Sequence, residues 1–237
     1  MHGIVLHSGG LDSTTALALA IGECDVVTCL SLRYGQKHSR EIEAAEQVAK
    51  RFGVEQIVIQ LPDVFQGFGS TLVDADIPNP HLSYEEIREA EGPSPSYVPF
   101  RNANFLSVAV SLAMVKDAGY VYFAAHADDA HNWAYPDTTP EFIGAMSNAI
   151  MVGTYNQVRL RTPLMWLSKR DVVVMAASLQ APVELTYSCY EGREAHCGLC
   201  PTCINRIEAF KGAGFIDPVS YELEVDWGPG VKPWEVD

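Results

Sequence analysis

The chain has 237 residues, 48% of them hydrophobic and 19% charged, which is enough apolar sequence to bury the core of one sizeable domain and an appendage. Its formal net charge of −14 argues against a broad electrostatic grip on nucleic acid, because phosphate neutralisation needs clustered Lys and Arg. No apolar run approaches membrane-spanning length, and the N-terminus does not look like a signal peptide. We therefore expect a cytoplasmic protein that acts on a small molecule, without nucleic-acid or membrane partners.

The first predicted element is a strand at residues 4–7, which runs directly into Ser-Gly-Gly-Leu-Asp-Ser-Thr-Thr at 8–15 and then into a helix-forming stretch. Paired glycines between a strand and a helix turn backbone N–H groups outward, and the serine and threonine hydroxyls add donors. Such a turn is an anion cradle, which favours phosphate. An ordinary turn with a helix N-cap is the alternative. The spacing is neither G-x-x-x-x-G-K-[ST] nor G-x-G-x-x-G.

Further apolar runs of strand length alternate with helical patterns along the chain. The predicted strands are residues 26–32, 56–60, 120–125 and 157–161. Helices are predicted before Gly53, over 104–116, and from the starts at 139–141 and 168–171. This alternation predicts an α/β fold with a parallel sheet.

Residues 62–99 break this rhythm with six prolines and one weak helix near 84–90. Long irregular segments inside compact domains are more often lids or binding loops than passive connections. We expect a lid or a binding loop here.

Polar motifs follow several predicted strands, at the sheet edge where ligands of open α/β folds bind. They are Arg-Tyr-Gly-Gln-Lys-His at 33–38, Arg101 and Asn102 at a helix start, Ala-His-Ala-Asp-Asp at 125–129, and the segment from Tyr135 to Phe142. The carboxylate of Asp137 or Glu141 could accept two parallel hydrogen bonds from a guanine-type edge. A solvated loop, a helix cap and helix N-terminal acids are the structural alternatives.

The C-terminal part carries Cys189, Cys197, Cys200 and Cys203 within fifteen residues. Four thiolates at this spacing favour structural zinc, an iron–sulfur cluster uses similar spacing, and disulfides are the remaining alternative. Cys24 and Cys29 read as small core residues. We predict a division into residues 1–185 and a zinc-binding region with an extended tail at 186–237, the tail packed through Trp227 and Trp234.

The loop at 8–13 resembles the Ser-Gly-Gly-x-Asp-Ser loop of the PP-loop ATP pyrophosphatases. Together with the segments at 34–38, 98–102 and 135–142 and the cysteine segment, in this order, the chain resembles the QueC family of 7-cyano-7-deazaguanine synthases. The resemblance implies a Rossmann-like fold of the adenine nucleotide alpha hydrolase type. The implied reaction uses ATP and ammonia to convert 7-carboxy-7-deazaguanine to the nitrile, through adenylation of the carboxylate, amide formation and dehydration.

The resemblance also implies residue roles and ligands. Nucleotide-binding residues would be His7, Ser8, Gly9, Gly10, Leu11, Asp12, Ser13, Thr14, Thr15, Ala16 and Leu17; catalytic residues would be Ser8, Asp12, Ser13, Lys37, Arg101 and Lys169. Substrate-binding residues would be Tyr34, Gln36, Arg101, Asn102, Asp137 and Glu141, and the four clustered cysteines would bind structural zinc. Magnesium would accompany ATP, held by Asp12. A homodimer is compatible with these features.

One departure from the family pattern concerns Thr138, which stands where we expect cysteine after Tyr-Pro-Asp. A threonine can donate one hydrogen bond but offers no thiol. A variant enzyme that stops at the amide, or that takes a related deazapurine, stays open. A tRNA-thiolating PP-loop enzyme and a non-enzymatic nucleotide-binding module are the rival readings.

Overall fold

The computed structural model describes residues 1–90 and 92–234. Its centre is a parallel sheet whose strands lie in the order β3-β2-β1-β4-β5. The strands are β1 (His2–Leu6), β2 (Val26–Arg33), β3 (Glu55–Gln60), β4 (Tyr120–Tyr122) and β5 (Arg159–Arg161). The five strands that the sequence predicted are thus confirmed, with β4 and β5 shorter than expected because only three residues of each pair.

The strand order reverses beside β1, which lies between β2 and β4. The register places Val5 opposite both Cys29 of β2 and Tyr122 of β4. Loops that leave neighbouring strands at such a reversal diverge and open a crevice at the carboxyl edge. The topology therefore places the loop after β1 at the mouth of a crevice.

Eight helices surround the sheet within the described residues. They are α1 (Leu11–Glu23), α2 (Arg40–Phe52), α3 (Tyr84–Glu89), α4 (Arg101–Val115), α5 (Ala127–Ala130), α6 (Pro140–Gly153), α7 (Lys169–Ser178) and α8 (Pro201–Ala213). Gly53 ends α2 in the left-handed conformation, with φ of +67°. Ser168 and Asp171 form the predicted capping box at the start of α7. None of these helices is long and apolar enough to cross a membrane.

Alternate residues of β1 face opposite layers, as the two-residue period of a strand requires. Ile4 and Leu6 are buried against α4 and α6, whereas Val5 is buried against α1 and α2. Both faces of the sheet are therefore covered, which agrees with a strand composed almost entirely of apolar residues.

The C-terminal region packs onto the sheet domain through α7 and α8, where Val172 and Phe210 belong to one buried cluster. The tail packs through its two tryptophans, as predicted. The ring of Trp234 lies 5.5 Å from Phe210, and that of Trp227 lies 6.2 Å from Tyr221. The domain boundary near residue 185 stays a prediction.

Candidate functional site

A cavity of about 260 Å³ opens at the carboxyl ends of β1, β2 and β4. Many residues that the sequence singled out line it: His7, Ser8, Gly10, Asp12, Ser13, Tyr34, Arg101, Asn102 and Lys169. They come from separate parts of the chain, and only the parallel topology brings them together. This convergence makes the cavity the candidate active site.

The loop between β1 and α1 forms one wall of the cavity. Gly9 has φ of +83°, and a Cβ there would lie 2.3 Å from the carbonyl oxygen of Glu41. Only glycine fits, because α2 packs directly against the loop. The Ser13 hydroxyl accepts a hydrogen bond from the backbone N–H of Ser8 at 3.2 Å. No side chain of the described residues caps α1, so the N–H groups of its first turn are open to an anion.

Asp12, in that first turn, belongs to a cluster of ionisable side chains at the cavity wall. Its Oδ2 accepts a hydrogen bond from Nζ of Lys169 at 2.5 Å, and Nε2 of His126 lies 3.8 Å from the same oxygen. Burial alone would raise the pKa of Asp12, but the charges of Lys169 and His126 lower it below its usual value. Asp12 is therefore a carboxylate at neutral pH, and its Oδ1 has no partner among the described residues.

Arg101, at the start of α4, brings positive charge to the opposite wall. Its guanidinium donates to the hydroxyl of Tyr34 at 3.0 Å and lies 5.5 Å from the ring centre of Phe105. Burial acts to lower the pKa of Arg101, but Tyr34, Asp137 and Glu41 raise it overall. A guanidinium held charged in this way can bind a phosphate or a carboxylate.

Glu41 lines the cavity and faces Arg101, and the sequence analysis missed it. Burial raises the pKa of Glu41 to about 7, although the charge of Arg101 opposes the shift. Its position in the first turn of α2 made it look like an ordinary helix acid. Only the packing of α2 against the loop at Gly9 turns this side chain toward the cavity.

Four polar atoms that belong to cavity-lining residues are buried without a partner in the part of the chain that the structure describes. They are Nδ1 of His7, Oδ1 of Asp12, Nε of Arg101 and Nδ1 of His126. Unpaired buried polar atoms cost free energy unless a ligand satisfies them. This cavity is therefore built to bind a polar ligand. Burial lowers the pKa of His7 to about 3, so its ring is neutral there.

Other predicted residues of the loop and helix support the cavity without lining it. Gly9, Leu11, Thr14, Thr15, Ala16 and Leu17 belong to this set. Thr14, for example, bonds to Nε2 of His7 at 3.2 Å, and the Thr15 hydroxyl donates to the carbonyl of Leu11. These contacts hold the loop against β1.

Four predicted residues do not line this cavity. Gln36 accepts from the backbone N–H of Tyr34, Lys37 donates to the carbonyl of Ile77, and Glu141 is exposed at the start of α6. Asp137 is buried, and its carboxylate accepts from the backbone N–H of Asn102 at 3.0 Å. Burial raises the pKa of Asp137. The structure thus brings nine of the proposed residues together, and it leaves these four outside.

A buried hydroxyl network on the far wall was not predicted from the sequence. The hydroxyl of Tyr135 bonds to Ser94 at 3.0 Å and to Ser96 at 2.7 Å. This network connects residues 62–99, the predicted lid or binding loop, to the cavity. Thr138 also lines the cavity, and its hydroxyl donates to the carbonyl of Tyr135 at 2.7 Å.

The four clustered cysteines are buried, and their Sγ atoms all lie within 4.8 Å of one another. The backbone N–H groups of Glu191 and Cys197 point at Sγ of Cys189, each at 3.4 Å. All six cysteines, each within the described residues, are free thiols, so the disulfide alternative fails. The spacing and burial fit a tetrahedral metal site.

The cysteine segment reaches the cavity directly. Tyr187, Ser188 and Tyr190 line it, and the backbone N–H of Tyr187 donates to the carbonyl of Gly9 at 2.9 Å. The cysteine segment therefore contacts the loop between β1 and α1 through this hydrogen bond.

The parallel sheet has a glycine loop at its switch point, and an uncapped helix N-terminus opens into the charged cavity. These features define an α/β protein with a site suited to an anionic ligand. The family model described as "Queuosine biosynthesis protein QueC" matches residues 2–214. The chain belongs to the QueC family.

Relatives named 7-cyano-7-deazaguanine synthase are similar over nearly the whole chain. The protein of Acetivibrio thermocellus is 40% identical over 92% of this chain and 96% of its own length. The protein of Thermoplasma acidophilum is 39% identical over 92% of this chain and 91% of its own length. The protein of Marinomonas sp. is 37% identical over 92% of this chain and 97% of its own length. The family expected from the sequence motifs is confirmed.

Proposed function

We propose that this protein converts 7-carboxy-7-deazaguanine to 7-cyano-7-deazaguanine with ATP and ammonia, as a ligase that forms a carbon–nitrogen bond. The names of its relatives support the substrate class. The observation that carries the proposal is one cavity with an open helix N-terminus on one wall and the buried guanidinium of Arg101 on another. The first suits the phosphates of ATP, and the second suits the carboxylate of the acid.

The phosphates of ATP would bind at residues 8–13, with Lys169 beside them. Oδ1 of Asp12 is a suitable magnesium ligand, because Lys169 occupies only Oδ2. Magnesium bound there would neutralise charge on the pyrophosphate. The first-turn N–H groups and Lys169 would stabilise the same charge as it develops.

A carboxylate is a poor electrophile, so activation must come first. An oxygen of the substrate carboxylate attacks the α-phosphorus of ATP, and pyrophosphate leaves. Ammonia then attacks the acyl carbon, AMP leaves, and the amide forms. The amide oxygen then attacks the α-phosphorus of a second ATP, and pyrophosphate leaves. The nitrogen loses its two remaining protons to a base, and AMP departs with the former amide oxygen as the nitrile forms.

Ammonia that attacks a carbonyl must lose protons, and Glu41 is the acceptor we propose. It lines the cavity opposite Arg101, and its pKa of about 7 suits proton transfer near neutral pH. Asp137 would act indirectly, because its bond to the Asn102 N–H fixes the start of α4 and thereby Arg101.

The four cysteines would hold structural zinc, with all four coordination positions filled by protein. Zinc would order the segment that carries Tyr187, Ser188 and Tyr190 to the cavity. The small-molecule chemistry of the proposed reaction suits a cytoplasmic enzyme.

The test is mass spectrometry of zinc-replete protein incubated with the acid, magnesium-ATP and ammonium. We expect nitrile together with AMP. Amide alone would support a variant activity linked to Thr138, whose hydroxyl lies in the cavity wall. Unchanged acid with a folded protein would contradict the proposal.

A further inference from the structure

A second cavity, of about 350 Å³, lies beside the first. Residues from three segments line it: Lys37 and His38 after β2; Ala75, Ile77, Pro78, Asn79 and His81 of the irregular segment; and Tyr190 and Glu191 of the cysteine segment. Tyr190 lines both cavities. The second cavity therefore adjoins the active site, with Tyr190 as the common wall.

The inner surface of this cavity presents acceptors. The amide nitrogen of Asn79 donates to the Tyr190 carbonyl at 3.2 Å and to Oε1 of Glu191 at 2.9 Å, which fixes the amide orientation. Within the described part of the chain, its Oδ1 and Nδ1 of His38 are both buried without a partner. An unpaired amide oxygen, an unpaired ring nitrogen and a carboxylate thus share one cavity.

A donor stands beside these acceptors. Nζ of Lys37 donates one hydrogen bond to the Ile77 carbonyl at 2.5 Å, which leaves two of its three hydrogens for other acceptors. A ligand that suits this wall is small, donates several N–H bonds and accepts one. Ammonia has this pattern, with three N–H groups and one lone pair.

The proposed reaction makes such a site useful. ATP and the acid would occupy the first cavity when the acyl adenylate forms, and water must be kept from that intermediate. A separate approach would let ammonia arrive without opening the first cavity.

Resting on the proposed function, we propose that the second cavity is the vestibule through which ammonia reaches the acyl adenylate. Lys37, Asn79 and Glu191 bind ammonia there, and ammonia passes Tyr190, which lines both cavities, to reach the adenylate. This role differs from the catalytic role that the family resemblance implied for Lys37.

The experiment blocks the vestibule from its rim. Ala75 and His81 are exposed and line only the second cavity, so Ala75→Trp and His81→Trp should narrow it and leave the first cavity intact. Ala145→Trp, on the exposed face of α6, is the matched control. Steady-state kinetics are measured with ammonium, ATP and the acid varied in turn.

We expect Ala75→Trp to raise KM for ammonium about tenfold while KM for ATP and for the acid stays within about twofold. More AMP should form per nitrile, because adenylate that waits for ammonia is hydrolysed. Ala145→Trp should behave as wild type.

Exchange of pyrophosphate into ATP is measured with the acid but without ammonium. It distinguishes failure of the vestibule from failure of the proposed function. If wild type exchanges and both rim variants keep the wild-type KM for ammonium, the vestibule is wrong and the proposed function stands. If wild type shows neither exchange nor product, both are overturned.

Discussion

Two walls of the active-site cavity are built by different means. The wall formed by the loop after β1 follows from backbone geometry, since Gly9 leaves room for α2 and α1 opens its N–H groups beyond it. The wall formed by residues 187–190 has no helix or strand of its own. It contains Cys189, one of the four clustered and buried thiols. The first wall needs only the folded sheet, whereas in the proposed function the second depends on zinc bound by the four cysteines. Loss of metal should therefore remove one wall and leave the other.

The largest expected effect comes from breaking the second wall. Cys200→Ser should abolish zinc binding, because structural zinc sites need all four ligands. Since the binding free energy of zinc adds to folding, we expect a clear fall in Tm and activity reduced roughly a hundredfold or more. Metal analysis and thermal unfolding measure both effects.

Cys24→Ser is the control for that change. Cys24 lies outside the cluster and its thiol is 3.5 Å from the Tyr122 hydroxyl. The Cys24→Ser variant should bind zinc at the same stoichiometry as wild type. Wild-type activity in zinc-free Cys200→Ser would contradict the role given to the second wall.

The first wall is tested by Gly9→Ala. The Cβ of an alanine at position 9 would lie 2.3 Å from the Glu41 carbonyl oxygen, and the positive φ would add backbone strain. We expect a loss of roughly 2–4 kcal/mol in the free energy of unfolding and weak ATP binding, because the backbone must move. Gly53→Ala is the matched control.

Gly53 has φ of +67°, and a methyl group there would meet no atom of the described residues within 4 Å, so its substitution adds strain alone. Its cost should be about 1 kcal/mol, with normal ATP affinity. Urea unfolding and nucleotide titration give both values. Equal losses in the free energy of unfolding for the two glycine variants would show that the close packing of α2 against Gly9 is unimportant.

The charge at the first wall is tested by Lys169→Met. Loss of the ammonium beside Asp12 should lower kcat/KM roughly a hundredfold, because it removes stabilisation of charge on pyrophosphate. Arg170→Met, one residue further along α7, removes an exposed cation whose Nε donates to the Gly212 carbonyl. It should retain activity within about threefold, as a surface change of this kind has little reach. Equal losses in both variants would contradict the assignment.

A smaller effect is expected from Glu41→Gln, and it depends on pH. The wild-type kcat should rise as pH increases through about 7, because the proposed proton acceptor must be ionised. Glu41→Gln should lose this dependence. Glu43→Gln, exposed on the same helix, should keep it. A pH profile unchanged in Glu41→Gln would exclude the carboxylate as the acceptor.

Stability gives an independent check on Glu41. Its pKa is raised in the folded state, so the folded protein binds more protons than the unfolded chain between about pH 4.5 and 7. The stability of wild type should fall as pH rises through that window. Glu41→Gln should therefore gain stability relative to wild type at pH 8 and not at pH 4, as measured by urea unfolding.

The sequence predicted the fold well where local patterns carry the information. Strand-length apolar runs, Gly53 and the Ser168–Asp171 capping box each specify local structure. α8 was missed, because the cysteine spacing dominated that segment and hid a helix that starts at Pro201. α5 was missed because it is only four residues long.

The site was predictable only in part for a similar reason. Residues at helix starts, such as Asp12 of α1 and Arg101 of α4, converge because both helices begin at the carboxyl edge of the sheet. Glu41 looks like any helix acid until α2 packs on Gly9, and Lys37 turns to the second cavity because the irregular segment supplies its acceptor at Ile77. Neither contact has a local sequence signal.

The central claim is that the acid's carboxylate attacks the α-phosphorus of ATP in this cavity. The direct test is to supply acid with isotopically heavy carboxylate oxygens and follow the label by mass spectrometry. We expect each heavy oxygen to leave on AMP, one as the amide forms and one as the nitrile forms. Heavy oxygen in inorganic phosphate, with ADP as the nucleotide product, would contradict it.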